Sequence, residues 1–202
     1  MLIFQNLYPE TPSHTDKDVV IVFIGTIQQS WKLLLKNFCL ALKEFTKSQK
    51  KVVLTTIGYN NEKILGPIIS EVGIDLSKFK FNPLGYLTHA KCIAITKQVS
   101  INFTILPPVY NFVISAKIFD YIHSEAPILA IIHEVDKTAK LIRRGNLGLV
   151  VTFESQALLK GSIKLTESGQ FQRNWKLLNQ FHHRELTNKL ANRFNKITEK
   201  YK

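Results

Sequence analysis

A lysine and an aspartate three residues apart, Lys117 and Asp120, are the side chains of this sequence best placed for binding chemistry. They fall in the stretch SAKIFDYIHSEAPILAI (115–131), whose start predicts a helix that begins near Ala116 with Ser115 as its N-cap. The helix dipole disfavours a cation in the first turn by roughly a few tenths of a kcal/mol, but a bound anion reverses that effect. The spacing therefore predicts a phosphate held by Lys117 and, one turn further on, ribose hydroxyls held by Asp120.

The same spacing has a simpler interpretation, in which Lys117 and Asp120 form an exposed ion pair worth roughly a few tenths of a kcal/mol. On a helix, the face that carries these two residues also carries Tyr121 and Ser124. The opposite face is apolar and suits packing on a sheet; it consists of Ile118, Phe119 and Ile122.

Buried strands and helices alternate along the chain and must position these residues. Nearly continuous apolar runs, typical of strands covered on both faces of a parallel sheet, occupy 19–25, 52–58, 127–133 and 147–153. Weaker strands are predicted at 78–85 and 99–106, and helices at 30–50, 60–72, 88–98, 115–125 and 136–145. This alternation predicts an α/β fold, a Rossmann-like doubly wound parallel sheet of about six strands. Such sheets bind ligands at the carboxyl ends of their strands.

The two ends of the chain differ from this pattern. Residues 1–17 are polar and turn-like and are interpreted as a linker or lead, so that one domain spans 18–202. A long closing helix is predicted at the C-terminus, and its apolar stripe needs a partner, either the sheet or another lobe. The stripe consists of Leu186, Leu190, Phe194, Ile197 and Tyr201.

The charge balance narrows the range of partners. The 202 residues include 27 Lys and Arg against 15 Asp and Glu, and this formal net charge of +12 attracts polyanions. Because the chain has no arginine-rich arm, nucleic acid is not favoured as a partner. An anionic membrane surface is a possible partner for part of this charge. No apolar run approaches the ~20 residues of a membrane helix, and no signal peptide is recognisable. The expected location is the cytoplasm, with peripheral attachment at the inner face of the membrane as an option.

Motifs for metals and common cofactors are missing from the sequence. His182 and His183 are adjacent, so on a helix they point in different directions, and no Cys or carboxylate cluster accompanies them. The sequence contains neither G-x-x-x-x-G-K-S/T nor G-x-G-x-x-G, which argues against a P-loop enzyme and an ordinary NAD-binding domain. We therefore expect neither a cofactor nor a metal.

The stretch SAKIFDYIHSEAPILAI resembles group-1 glycosyltransferases of the two-lobed GT-B fold, whose pattern is K-L/I-F-E/D-Y-L/I, a small-residue turn, and P-I/V-L-A. Other segments resemble the family in the same order. VIVFIGTIQQSWKLLLKNFCLAL is similar to its first strand, Gly-Thr turn and helix, and FHHRELTNKLANRFNKI to its closing helix. The resemblance runs from about residue 18 to the end and implies a single C-terminal, donor-binding GT-B lobe. The N-terminal lobe would come from the same chain or a separate one.

This resemblance implies roles for individual residues of the strand ends and of the predicted helix. Lys117 matches the lysine near the donor diphosphate, Asp120 matches the acid that holds the ribose, and Ser115 lies beside the phosphate. Phe112 stands where many retaining members have a second carboxylate, and Glu125 where the family usually has Gly. No catalytic residue is implied on this lobe, because in the family the N-terminal lobe supplies any catalytic histidine or acid.

Two further turns and one strand end match parts of the donor site. Gly25 and Thr26 match the first turn, which faces the diphosphate. Gly85 and Tyr86 match the loop that borders the base, and Thr56, at the end of the second strand, is a weaker match.

The resemblance implies a glycosyltransferase that moves a sugar from a nucleoside diphosphate to a saccharide or lipid-linked acceptor, as in polysaccharide biosynthesis. The isolated lobe is expected to be inactive without its N-terminal partner. Two alternatives stay open: a lobe of a sugar-nucleotide epimerase, and a non-catalytic nucleotide-sugar-binding or interaction module. The lone lobe and Phe112 favour taking the second seriously.

Overall fold

The structure is a computed structural model that describes residues 18–47, 50–110, 112–152, 163, 166 and 170–200. The lead predicted at 1–17 therefore lies outside the described residues, as does Tyr201 of the apolar stripe. The strands are β1 (Val19–Ile24), β2 (Val52–Ile57), β3 (Phe79–Pro83), β4 (Ile101–Leu106), β5 (Ile128–Ile132) and β6 (Gly148–Val151). The helices are α1 (Lys32–Thr46), α2 (Asn61–Val72), α3 (His89–Thr96), α4 (Lys117–Ile122), α5 (Lys137–Gly145), α6 (Trp175–Leu178) and α7 (His183–Lys200).

Within the described residues, the six strands form one parallel sheet in the order β3-β2-β1-β4-β5-β6. Strands β2 and β5 are buried along their whole length, which explains why their sequences are continuously apolar rather than alternating. The predicted α/β, Rossmann-like, doubly wound sheet is confirmed. The strand order reverses between β1 and β4, and in such sheets the crevice for a ligand opens at this point.

Helices cover both faces of the sheet. Helices α1 and α2 pack on one face, where Phe38 stacks on Phe103 of β4 with ring centroids 4.1 Å apart. The opposite face carries α4 and α5, with the fully buried Ile118 in their shared core, and α3 packs beside them. Cys39 lies in the first core, and burial raises the pKa of its thiol to about 12, so it acts as the small buried hydrophobe that the sequence predicts.

The start of α4 differs from the prediction in its cap. The helix begins at Lys117, Ala116 holds the cap position, and no side chain caps the helix. The prediction of Ser115 as N-cap was wrong, because its side chain makes no capping hydrogen bond. Ser115 is held instead through its backbone N–H, which donates to Oγ1 of Thr138 on α5 at 3.0 Å. The chain before α4 is thus fixed by α5, and Lys117 still occupies the first helical position.

The closing helix α7 is confirmed, but its apolar stripe is not covered. Among the described residues of the stripe, exposure ranges from 45% at Leu186 to 58% at Phe194. The sheet is therefore not the partner of this helix within the part of the chain that the structure describes. Within the same part, no helix combines the length and the apolar character that a membrane span requires.

Candidate functional site

The turns after β1, β2 and β3 are joined to one another at the carboxyl edge of the sheet. The backbone N–H of Gly25 donates to the carbonyl of Ile57 at 2.7 Å, and the N–H of Gly58 donates to the carbonyl of Gly85 at 2.7 Å. Gly58 has a φ of +151°, and a Cβ there would overlap the carbonyl of Gly25. Glycine is therefore required for this close approach, which holds three strand ends together beside the point where the strand order reverses.

Asn61, the first residue of α2, holds the turn after β1 through two hydrogen bonds. Its side chain is buried, donates from Nδ2 to the carbonyl of Gly25 at 2.9 Å, and accepts from the N–H of Ile27 at 2.8 Å through Oδ1. Both interactions reach across more than thirty residues, so the sequence alone did not single out Asn61. Thr26, between the two anchored residues, stays exposed at the edge.

Lys117 reaches from the first turn of α4 to the turn after β1. Its Nζ lies 4.5 Å from the centroid of the Phe23 ring, and a Cβ on Gly25 would overlap it. Burial lowers the pKa of Lys117 to about 8, since the ammonium has lost much of its water. No described residue accepts a hydrogen bond from Nζ. The lysine is thus a desolvated cation whose charge the ring of Phe23 compensates only in part.

Asp120 does not pair with Lys117. Its Oδ1 instead lies 2.9 Å from Nε2 of His89, the first residue of α3, in an ion pair when the histidine is protonated. The simpler interpretation, an exposed pair between Lys117 and Asp120, is therefore not what the structure shows. The Asp120 side chain keeps 26% of its surface exposed, and its second oxygen has no hydrogen-bond partner within the described ranges. His89 was missed by the sequence analysis, although its position at the start of a helix beside the carboxyl edge was a usable signal.

Tyr121 positions the helix rather than the ligand. Its buried hydroxyl donates to the carbonyl of Phe103 on β4 at 3.1 Å and accepts from the N–H of Ile24 on β1 at 3.2 Å. Burial raises the pKa of Tyr121 well above its ordinary value, so the hydroxyl stays protonated. Ser124 is also buried and donates to the carbonyl of Thr96 at 2.6 Å. The helical face that Tyr121 and Ser124 share with Asp120 is thus turned largely into the protein, and Tyr121 fixes α4 across the point where the strand order reverses.

The other predicted site residues differ in accessibility. Thr26, Gly85 and Tyr86 are exposed at the carboxyl edge, and Ser115 is partly buried before α4. Thr56 is only 1% exposed, and its hydroxyl has no hydrogen-bond partner within the described residues. A ligand reaches Thr56 only if the strand end rearranges, so we leave it out of the proposed site.

Metal-binding side chains do not gather in the part of the chain that the structure describes. In that part, no three side chains of His, Cys, Asp or Glu come close enough together to hold a metal ion. Lys117, Asp120 and His89 lie at the carboxyl edge, where they can bind an anion and hydroxyl groups.

Comparisons with known proteins identify the fold but no family. No family model matches the chain, and no curated protein matches it by sequence. A UDP-forming α,α-trehalose-phosphate synthase from Burkholderia xenovorans aligns with 77% of the chain at a TM-score of 0.55 and 11% identity. The UDP-GlcNAc 2-epimerase of Methanocaldococcus jannaschii, solved with UDP-GlcNAc and UDP, aligns with 89% at a TM-score of 0.59 and 10% identity. TarM of S. aureus, solved in complex with UDP, aligns with 79% at 0.53 and 12%.

At these low sequence identities, the similar structures share only the fold with this chain. The chain spans 38% of the trehalose-phosphate synthase, 45% of the epimerase and 30% of TarM, so it corresponds to a part of each of these enzymes. The expected likeness to GT-B glycosyltransferases is confirmed at the level of the fold.

Proposed function

We propose that this chain is the donor-binding lobe of a GT-B glycosyltransferase and that it binds a nucleoside-diphosphate sugar at the carboxyl edge of its sheet. The observation that carries this proposal is the position of the Lys117 ammonium, which lies desolvated beside the Gly25 turn and is compensated only in part by the Phe23 ring. This turn follows β1, one of the two strands between which the strand order reverses, and ligands of such sheets bind at that point.

A diphosphate suits the surroundings of Lys117 better than a neutral ligand does. An anion supplies the negative counter-charge that no described residue supplies to the ammonium, and in a partly desolvated site this attraction is stronger than in water. The missing side chain of Gly25 gives the ammonium room at the strand end, and Thr26 adds an exposed hydroxyl beside it. During sugar transfer, Lys117 would stabilise the leaving diphosphate as its charge develops, without a metal or another cofactor.

Groups near Lys117 would bind the ribose and the base of the donor. Asp120 has one carboxylate oxygen on His89, and its second oxygen can accept from a ribose hydroxyl. Gly85 and Tyr86, at the exposed turn after β3, are the predicted border of the base. We assign no catalytic residue to this lobe, since any catalytic histidine or acid would come from the N-terminal lobe. Phe112, which is exposed, stands where many retaining members have a carboxylate that contacts the donor sugar.

The whole enzyme would combine this lobe with an N-terminal lobe that binds a saccharide or lipid-linked acceptor. The similar structures support a nucleotide-sugar ligand, because they are UDP-forming or UDP-bound enzymes. We propose a cytoplasmic location, with the exposed cations of α7 available for contact with an anionic inner membrane surface.

A sugar-nucleotide epimerase is the second candidate, favoured by the epimerase structure that aligns with the largest share of this chain among those named here. Product analysis of the complete two-lobed protein separates the two reactions: transfer yields a glycoside and free nucleotide, whereas epimerisation yields a new nucleotide sugar. A non-catalytic binding module is the third candidate, and Phe112 in place of a carboxylate is the observation that favours it.

Calorimetric titration of the chain with UDP, GDP, ADP and CDP tests the proposal, with Lys117→Met as the informative variant. We expect at least one nucleoside diphosphate to bind and the variant to bind it about ten- to hundredfold more weakly, since one charge-assisted contact to phosphate is lost. Lys189→Met, which removes an exposed cation of α7, is the matched control and should change affinity less than about twofold.

Equal affinity of Lys117→Met and wild type, with both proteins folded, would contradict the phosphate assignment. Binding of none of the four nucleotides to the wild type would contradict the function as a whole.

A further inference from the structure

Two tyrosines stack on each other at the carboxyl edge, and both face solvent. The rings of Tyr59 and Tyr86 have centroids 5.0 Å apart and an angle of 13° between their planes. Tyr59 is 59% exposed and Tyr86 is 65% exposed. An exposed pair of nearly parallel aromatic rings is an apolar surface that the rest of the described fold does not cover.

The fold does not need these two rings. Each tyrosine directly follows a glycine that makes the turn, Gly58 or Gly85, and the turns are held by backbone hydrogen bonds. Small polar residues are the usual occupants of such turns, and neither ring joins a hydrophobic core. Neither hydroxyl makes a hydrogen bond to another described residue. The pair therefore adds little to folding, which makes a role in binding the better explanation.

The pair lies beside the groups assigned to the diphosphate and the ribose. Gly58, which precedes Tyr59, is in close contact with the carbonyl of Gly25, and Gly25 is in close contact with Lys117. Because neighbouring strands are about 5 Å apart, the turns after β2 and β3 lie only one to two strand spacings from the lysine. On the other side, the loop that begins with Tyr86 leads within three residues to His89, which contacts Asp120.

From this arrangement we infer that Tyr59 and Tyr86 together form the surface on which the nucleobase of the donor stacks. The inference rests on the proposed function and adds to it a residue, Tyr59, that the sequence pattern did not indicate. The diphosphate lies on Lys117, the ribose on Asp120, and the base extends over the ends of β2 and β3.

The distance between the two rings determines on which side of the pair the base stacks. A base between the rings would need a van der Waals separation of about 3.5 Å on each of its faces, so the observed centroid distance of 5.0 Å leaves no room for it. The base therefore lies on an outer face of the pair, and the second ring supports the first from behind. Since every base has an aromatic face, the pair gives affinity for all bases, and the choice among them falls to groups at the base edge.

The experiment compares Tyr59→Leu, Tyr86→Leu and the double variant with Tyr59→Phe and Tyr86→Phe. The probes are the tightest-binding member of UDP, GDP, ADP and CDP, and inorganic pyrophosphate, which has no base. We expect the double leucine variant to bind the nucleotide about ten- to hundredfold more weakly and pyrophosphate unchanged, and the phenylalanine variants to stay within about threefold of wild type. In proton NMR, the base resonances of the bound nucleotide should shift upfield through the ring currents, and this shift should vanish in the double leucine variant.

The inference is overturned if the double leucine variant binds the nucleotide as tightly as wild type, or if the bound base shows no ring-current shift in the wild type. A failure of the proposed function looks different. In that case no nucleoside diphosphate binds the wild type, or Lys117→Met leaves the affinity unchanged.

Discussion

Lys117 and the cations of the closing helix carry the same charge in opposite settings. Lys117 is desolvated against the ring of Phe23, and burial lowers its pKa to about 8. Lys189, Arg193 and Lys196 are exposed along α7, where water and salt screen them. The difference shows that a net charge of +12 gives the excess of cations without identifying the one that is desolvated. Desolvation at the edge of the sheet, rather than charge alone, distinguishes the candidate site.

The two regions also differ in how firmly they are held. The carboxyl edge is tied by backbone hydrogen bonds between neighbouring turns and by the side chains of Asn61 and Tyr121. Helix α7 makes its contacts with the short turn before it, Asn179–Phe181, and leaves its apolar stripe open within the described residues. Substitutions at the edge should therefore affect stability and binding strongly, whereas substitutions along α7 should be mild in this chain.

The largest effect is expected from Gly58→Ala. The new Cβ overlaps the carbonyl of Gly25, and a φ of +151° is unfavourable for any residue with a side chain. We expect a loss of about 3 kcal/mol or more in the free energy of unfolding, measured by urea denaturation. The matched control is Gly66→Ala inside α2, where a Cβ meets nothing within 4 Å apart from its chain neighbours. That substitution should change the free energy of unfolding by less than about 1 kcal/mol, because the better helix propensity of alanine is opposed by crowding of its Cβ against the ring of Pro67.

A Gly58→Ala variant within about 1 kcal/mol of wild type would mean that the turns at the edge are free to move apart. The distinction between a firmly held edge and a loosely attached helix would then disappear.

The second-largest effect is expected on the pH dependence of the free energy of unfolding, to which Lys117 contributes. Its pKa is about 8 in the folded state against the ordinary 10.5, so folding disfavours the charged form. The unfolded chain binds the extra proton between these values, and the stability contributed by this site therefore rises as pH increases from about 8 to 10.5. Below pH 8 the folded protein carries the full cost of the desolvated charge, on the order of 3 kcal/mol.

Lys117→Met removes this cost, so the variant should be more stable than wild type at pH 7, and the two should converge towards pH 10.5. Urea denaturation at several pH values measures the difference. Lys189→Met is again the control and should leave the free energy of unfolding at pH 7 close to that of wild type, since this side chain is exposed. A Lys117→Met variant that is less stable than wild type at pH 7 would mean that another group already compensates the ammonium.

The sequence predicts the sheet well because strands buried on both faces leave a local signature. Continuous apolar runs place β1, β2, β5 and β6 within one or two residues of the observed bounds. The same signature also explains why Thr56 is a poor site residue: a side chain inside a doubly covered strand is buried whichever way it points.

The contacts that build the site were much harder to predict. The first-turn position of Lys117 is a local property, but its desolvation depends on Phe23, almost a hundred residues earlier. The pairing of Asp120 with His89 depends on how α3 and α4 meet, which no local spacing encodes. The bond between the backbone of Ser115 and Thr138 of α5 is likewise a contact between separate elements that the sequence does not encode locally.

The smallest effect is expected on the closing helix. Leu190→Ala removes a side chain that is 54% exposed, so little apolar surface is lost from the interior and no cavity forms. We expect the free energy of unfolding to fall by less than about 0.5 kcal/mol. The matched control is Leu35→Ala in α1, where the leucine is 1% exposed and truncation should cost about 2–5 kcal/mol.

The ratio of these two costs measures how much of the α7 stripe this chain covers by itself. A small loss for Leu190→Ala beside a large one for Leu35→Ala means that this chain leaves the stripe accessible to another surface, such as the second lobe that the proposed function requires. Similar losses for the two substitutions would mean that the stripe is already covered in solution by this chain. Helix α7 would then belong to the core, and the contrast between a firmly held edge and a loosely attached helix would no longer hold.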